Sequence, residues 1–160
     1  MERVNRIIKH PAYIDHLSQN CAAEAGRRFC HHDMAHFLDV ARIGQIMNLE
    51  EGLGIPKELV YAAALLHDIG KHIQYERGTP HEQAGGEIAP IILEECGFSK
   101  EETQVIIDAI LSHRDESAAG EKSLRGILYR ADKAGRACFV CEAEQECNWK
   151  DGKKNFEIYW

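Results

Sequence analysis

The sequence predicts an all-α fold, a single helical bundle over residues 1–160. Three observations carry this. Apolar residues recur at helical spacing in one segment after another. Helix-start signals precede several of these segments, at Asp33, at Pro56, over Thr79 to Glu82, and at Ser99 with Glu102. No run alternates apolar and polar residues over the length of a strand, and no Asn-Gly hairpin signal occurs.

The elements follow in order. Residues 3–25 open the chain, with Pro11 starting a second helix after a short first turn. Phe37, Val40, Ala41, Ile43, Gly44 and Met47 mark a long helix that Asp33 caps. A glycine-containing break over 50–56 precedes "KELVYAAALLHDIG", an apolar and therefore central helix. Residues 72–80 read as a loop. Thr79-Pro80-His81-Glu82 reads as a capping box for the next helix, where Gly85, Gly86 and Pro90 predict a kink or a close approach, and Gly97 the end. Ser99 and Glu102 form a second capping box, ahead of Ile106, Ile110 and His113. Residues 114–123 are a polar loop. Residues 123–149 read as a further helix or a pair of helices, and 150–160 as a tail.

Composition narrows the function. The net charge of −7 argues against long nucleic acid as a partner. No apolar run approaches 18 residues, so no membrane span is expected. The first 17 residues lack an apolar stretch ending at a cleavage site, which predicts no signal peptide and a cytoplasmic location. In that setting the six cysteines stay reduced.

Five segments each place a metal-type ligand at a helix end or on an apolar face: His36, the pair His67-Asp68, His81, His113 and Asp132. A carboxylate or imidazole on such a face needs a partner or a cation. Taken singly, each has an ordinary reading as a core or surface residue. Their order resembles that of the HD-domain metal-dependent phosphohydrolases: a histidine early in a helix ("HHDMAHFLDVA"), then His-Asp ("ALLHDIGK"), two further histidines ("TPHEQAGGEIA" and "ILSHRD"), and a distal aspartate ("LYRADK"). Within that family the pattern looks most like the two-metal hydrolases of symmetrical diadenosine polyphosphates.

The resemblance covers residues 30 to about 136 and implies an HD-domain bundle, with 137–160 as a cysteine-containing C-terminal helix and tail. It implies that His36, His67, Asp68 and Asp132 hold one divalent metal, and that Asp68 bridges to a second held by His81 and His113. Nitrogen and oxygen donors suit iron, manganese, cobalt or nickel, with magnesium admissible. Two cations sharing a water bring hydroxide within reach near neutral pH and neutralise phosphate oxygens. The implied reaction is hydrolysis of a phosphate ester or anhydride in a small nucleotide-like substrate. Asp68 and Lys71 are the candidate catalytic residues. His32, Arg77, Lys133 and Arg136 are candidate substrate contacts. The same ligands serve two alternatives, a di-iron oxygenase and a non-catalytic nucleotide sensor; a sensor usually loses ligands, and all six are kept here.

Cys138, Cys141 and Cys147 are spaced by two and then five residues. A four-thiolate metal site needs one ligand more, from Cys30 or a histidine. The favoured reading is reduced structural thiols, with Cys138 and Cys141 on one helix face beside Ala134 and Ala137. The aromatic tail suits packing on the bundle or on a second copy of the chain in a homodimer.

Overall fold

The computed structural model describes residues 1–160. Eight α-helices follow in chain order: α1 Glu2–Ile7, α2 Pro11–Ala23, α3 Met34–Glu50, α4 Lys57–Leu66, α5 Lys71–Arg77, α6 His81–Glu95, α7 Lys100–Ser112 and α8 Leu124–Ala134. No strand forms. Short 3₁₀ turns occupy Glu116–Gly120, Cys138–Val140, Glu144–Glu146 and Asp151–Lys153. The all-α expectation holds.

Helix α4 sits at the centre because its sequence is apolar on every side. Every residue from Ala62 to Gly70 is buried, and α4 packs against α1, α3, α7 and α8. Alanines at 62, 63 and 64 let those neighbours approach, and Leu65 and Leu66 fill the space between them. Each such leucine contributes roughly 1.5–3 kcal/mol of burial. Asp33 caps α3 by accepting the His36 N–H at 3.1 Å. Ser99 and Glu102 form the expected capping box on α7.

Three expectations need correction. Residues 71–77 are helix α5, where a loop was expected. The segment is polar, but its buried residue His72 donates its backbone N–H to the Asn20 side chain at 2.8 Å, which seats the helix against α2. Thr79 caps nothing: α6 begins at His81 with Pro80 in the cap position, as α4 begins at Lys57 after Pro56.

The third correction is at the C-terminus. Helix α8 ends at Ala134, and the cysteines beyond it lie on 3₁₀ turns. Residues 138–160 carry helix-favouring Glu, Gln and Ala but no apolar stripe; Ala143 alone among them is buried. Propensity without a buried face does not hold a short helix. Asn155 closes α8 instead, its Nδ2 lying 2.7, 3.0 and 2.9 Å from the carbonyls of Lys133, Ala134 and Arg136. Past it, Phe156, Ile158, Tyr159 and Trp160 remain partly exposed, and Ile158, Tyr159 and Trp160 line a surface groove with Ile43 and Ile46 of α3.

Candidate metal centre

Five helix ends meet at one end of the bundle. His36 lies in the first turn of α3, His67 and Asp68 follow α4, His81 opens α6, His113 follows α7, and Asp132 lies in the last turn of α8. Gly70 makes the meeting close. A methyl at its Cβ position would lie 2.6 Å from Ala84 Cβ and 2.8 Å from the Gly85 nitrogen, so only glycine brings the turn after Asp68 this near to α6.

Asp68 divides its two oxygens. Oδ2 lies 3.2 Å from His67 Nε2 and 3.8 Å from His36 Nε2. Asp132 Oδ1 closes that half, 3.6 Å from His36 Nε2 and 3.8 Å from His67 Nε2. Oδ1 of Asp68 faces the other way, 2.9 Å from His81 Nε2 and 3.5 Å from His113 Nε2. In each group the donor atoms lie within 4.8 Å of one another.

The imidazoles are turned for ligation. His67 Nδ1 donates to the Ala64 carbonyl at 2.7 Å, and His113 Nδ1 to the Ile110 carbonyl at 2.6 Å. His81 Nδ1 donates to the Gln74 side chain on α5. With Nδ1 committed, Nε2 of each ring is free to offer a lone pair. His36 Nε2, His67 Nε2 and Asp68 Oδ1 are buried with no hydrogen-bond partner. Orphaned polar atoms this deep are costly, and a cation between them satisfies all three. Burial works to lower His67, yet Asp68 and Asp132 pull it up to about 10. Burial works to raise both carboxyls, yet the imidazoles around Asp68, and His67 with Lys133 around Asp132, hold them well below the carboxylate range. The cage calls for positive charge, and the donor set fits a divalent metal.

Comparison with known proteins agrees. A family model described as the HD domain matches residues 34–143. The chain belongs to the HD-domain family. It is 48% identical to an uncharacterized protein of Clostridium beijerinckii, with both chains covered in full. It is 33% identical over 99 residues to ribonuclease Y of Mycoplasma mycoides subsp. mycoides, 62% of this chain but 17% of that protein. With ribonuclease Y of Rubrobacter xylanophilus it shares 36% over 83 residues, 52% of this chain and 14% of the other. No solved structure matches. Nothing in these relatives supports the diadenosine polyphosphate subtype.

Around the HD-domain ligands lies a cavity of about 900 Å³, a size that suits a small ligand. Lys71 lines it with Nζ 3.2 Å from His81 Nδ1; burial lowers its pKa, and Asp68 pulls the other way. Lys133 also lines it, but its ammonium bonds Asp132 Oδ2 and the His113 carbonyl, tying the α8 ligand to the α7 ligand. Arg136 stacks on Trp149 at 3.9 Å in the wall. Arg77 is exposed at the end of α5 and takes no part in the cavity, so the structure does not bring it to the site.

His32 is at the cage, with Nε2 3.6 Å from Asp68 Oδ2. Behind it stands Glu24, which sequence reasoning passed over. This buried carboxylate accepts the His32 backbone N–H at 2.7 Å, the His32 ring Nδ1, and the Tyr75 hydroxyl at 2.6 Å. Asn20 was passed over too; its Nδ2 donates to the Asp68 carbonyl at 2.9 Å. Neither stands out in the sequence: Asn20 is one of several polar residues on α2, and Glu24 sits just past the end of that helix.

Burial works to raise the Glu24 carboxyl, but His32 and Tyr75 lower it from 4.5 to about 2. A depressed carboxyl stabilises the fold above its unfolded pKa, here by about 3 kcal/mol, and loses this as pH falls towards the folded value. Urea unfolding of wild type and Glu24→Gln tests this. The stability difference is expected to be largest at neutral pH and to shrink between pH ~4.5 and ~2. A difference constant across that window would remove Glu24 as its source.

Proposed function

We propose that the chain is a metal-dependent phosphohydrolase that cleaves a phosphate ester or anhydride of a small nucleotide-like substrate. The observation that carries the reading is Asp68, whose two oxygens serve two separate imidazole groups. This is the arrangement expected of a carboxylate shared by two divalent ions, of which iron, manganese, cobalt, nickel and magnesium are the candidates. Bound there, such ions supply an activated water and neutralise charge on the phosphoryl group.

The chain's own residues do the rest. Arg27, Lys71, Arg114 and Arg136 bring positive charge from four segments to one cavity, in a chain of net charge −7. That contrast favours a small anion over a long polyanion. Lys71 is placed to hold a phosphate oxygen or to steady the leaving group. His32, fixed by Glu24, faces the same space. Lys133 holds Asp132 so that Oδ1 stays aimed at His36 and His67.

The test is a hydrolysis screen of the anaerobically purified chain with each candidate metal. Its substrates are mononucleotides, dinucleoside polyphosphates, a generic phosphodiester and a short RNA, the last because relatives are named ribonucleases. Metal-dependent release of phosphate or nucleotide from a small substrate supports the proposal. Cleavage of RNA alone would move it to a nuclease, and oxygen consumption without hydrolysis to an oxygenase. Lys71→Ala is expected to lower kcat about 10- to 100-fold, the worth of one charge-assisted hydrogen bond, with metal content unchanged. Unchanged kcat in this variant removes Lys71 from the chemistry.

A further inference from the structure

Four of the six cysteines line the same cavity as the cage: Cys30, Cys138, Cys141 and Cys147. The other two do not. Cys21 is exposed on α2, and Cys96 is buried at the end of α6. All four at the cavity are free thiols, and none is a core residue.

We infer that these four cysteines form a second metal site, which takes one zinc ion as a closed tetrathiolate. Three observations point there. Cys138 and Cys141 sit at the two ends of a single 3₁₀ turn, with the Cys141 N–H donating to the Cys138 carbonyl at 3.2 Å. Two cysteines separated by two residues on a tight turn present both sulfurs to one side, the usual half of a zinc knuckle. Cys147 ends a similar turn, its N–H donating to the Glu144 carbonyl at 3.1 Å.

The second observation is how Cys30 gets there. It lies 108 or more residues away in sequence, yet the Arg28–Glu146 ion pair at 2.9 Å joins its loop to the turn before Cys147. The Cys30 thiol is raised by burial and lowered by Arg136, and it responds to Cys138 and Cys141 as near neighbours.

The third is what the C-terminal segment lacks. It has one buried residue, Ala143, and no α-helix. Chain segments too small to bury a core are commonly held by disulfides or a structural metal.

The site assembles on binding. No three of these sulfurs lie within 4.8 Å of one another, whereas bonds of ~2.3 Å in a tetrahedron put sulfurs about 3.8 Å apart. The turns draw in, and each thiol gives up its proton to solvent as it ligates. Thiolates prefer zinc, whereas the nitrogen and oxygen cage suits iron or manganese, so the two sites hold different metals. The zinc would fix the loop that leads into His32 and the wall that carries Arg136. It shapes the cavity and takes no part in the reaction.

Cobalt(II) loading of the reduced full-length chain tests this. A thiolate-to-cobalt charge-transfer band in the near ultraviolet can arise only from the cysteines. One equivalent is expected, displaced by zinc, kept in Cys21→Ser and in the His67→Ala, Asp68→Ala double variant, and lost in Cys30→Ser and Cys141→Ser. Alkylation mapping of the wild type needs no variant to fold: zinc is expected to slow reaction of these four thiols by about tenfold or more, and of no others. Absence of the band, a band that survives both cysteine variants, no protection of the four thiols, or iron with acid-labile sulfide in the isolated chain each overturn the proposal.

Discussion

Asp68→Ala is expected to remove both metal ions and lower hydrolysis by about 10³-fold or more, since metal stabilisation of the transition state is worth several kcal/mol. The reason is geometric. Oδ2 completes one ligand group and Oδ1 the other, so no other single side chain serves both. His113→Ala provides the contrast. It strips one ligand from the second group and leaves His36, His67, Asp68 and Asp132 together. Elemental analysis should then show the first ion retained and the second lost. Equal metal loss in the two variants would mean that the groups are not separate sites. Full metal and activity in Asp68→Ala would mean that the cage is not the active centre.

Gly126→Ala is expected to cost at least about 3 kcal/mol, at the upper end of overpacking substitutions. Gly126 lies in the first turn of α8. A methyl there would lie 2.0 Å from the Glu121 carbonyl oxygen, 2.8 Å from its carbon and 3.0 Å from the Ala118 carbonyl oxygen. All three are backbone atoms and cannot rotate aside. Arg130 holds the same loop, donating to the carbonyls of Ala119 at 2.8 Å and Glu121 at 3.1 Å. The strain must therefore move α8, which carries Asp132. For a chain of this size the loss corresponds to a fall in Tm of roughly 6–12 °C. Gly120→Ala is the control, since a methyl there meets nothing within 4 Å. A Gly126→Ala Tm equal to the control's would sink the steric account.

The cage was legible because its residues are expensive where they stand. Histidine and aspartate beside Leu65, Leu66, Ile106 and Ile110 demand a partner, and the order of the five segments told which. Glu24 and Asn20 carried no such mark. Asn20 is one of several polar residues on α2 and Glu24 caps the end of that helix; the partners that give them their tasks, Asp68, His72 and Tyr75, lie some 50 residues away and only packing brings them near. Helix α5 was hidden for a related reason: its polar residues carry no apolar period, and its seat is a side chain on another helix. The C-terminus failed in the opposite direction. Its composition favours a helix, but residues 138–149 offer no apolar face for the bundle to cover, so propensity misled. Gln74 shows what the missed helix cost, since it turns His81 towards Asp68 from within a stretch that looked like a loop.

Asn20 also separates two things that are easily equated. All six donor residues lie between His36 and Asp132, so a fragment cut from residue 30 to 136 would carry every ligand atom. It would lack the amide that bonds the Asp68 carbonyl and the His72 N–H, and the carboxylate behind His32. Asn20 lies on α2 and Glu24 at its C-terminal cap, both ahead of the stretch that matches the family. Grafted into another scaffold, residues 30–136 are expected to bind metal weakly, and adding residues 1–29 to restore it. The transplantable unit is longer than the chemical one.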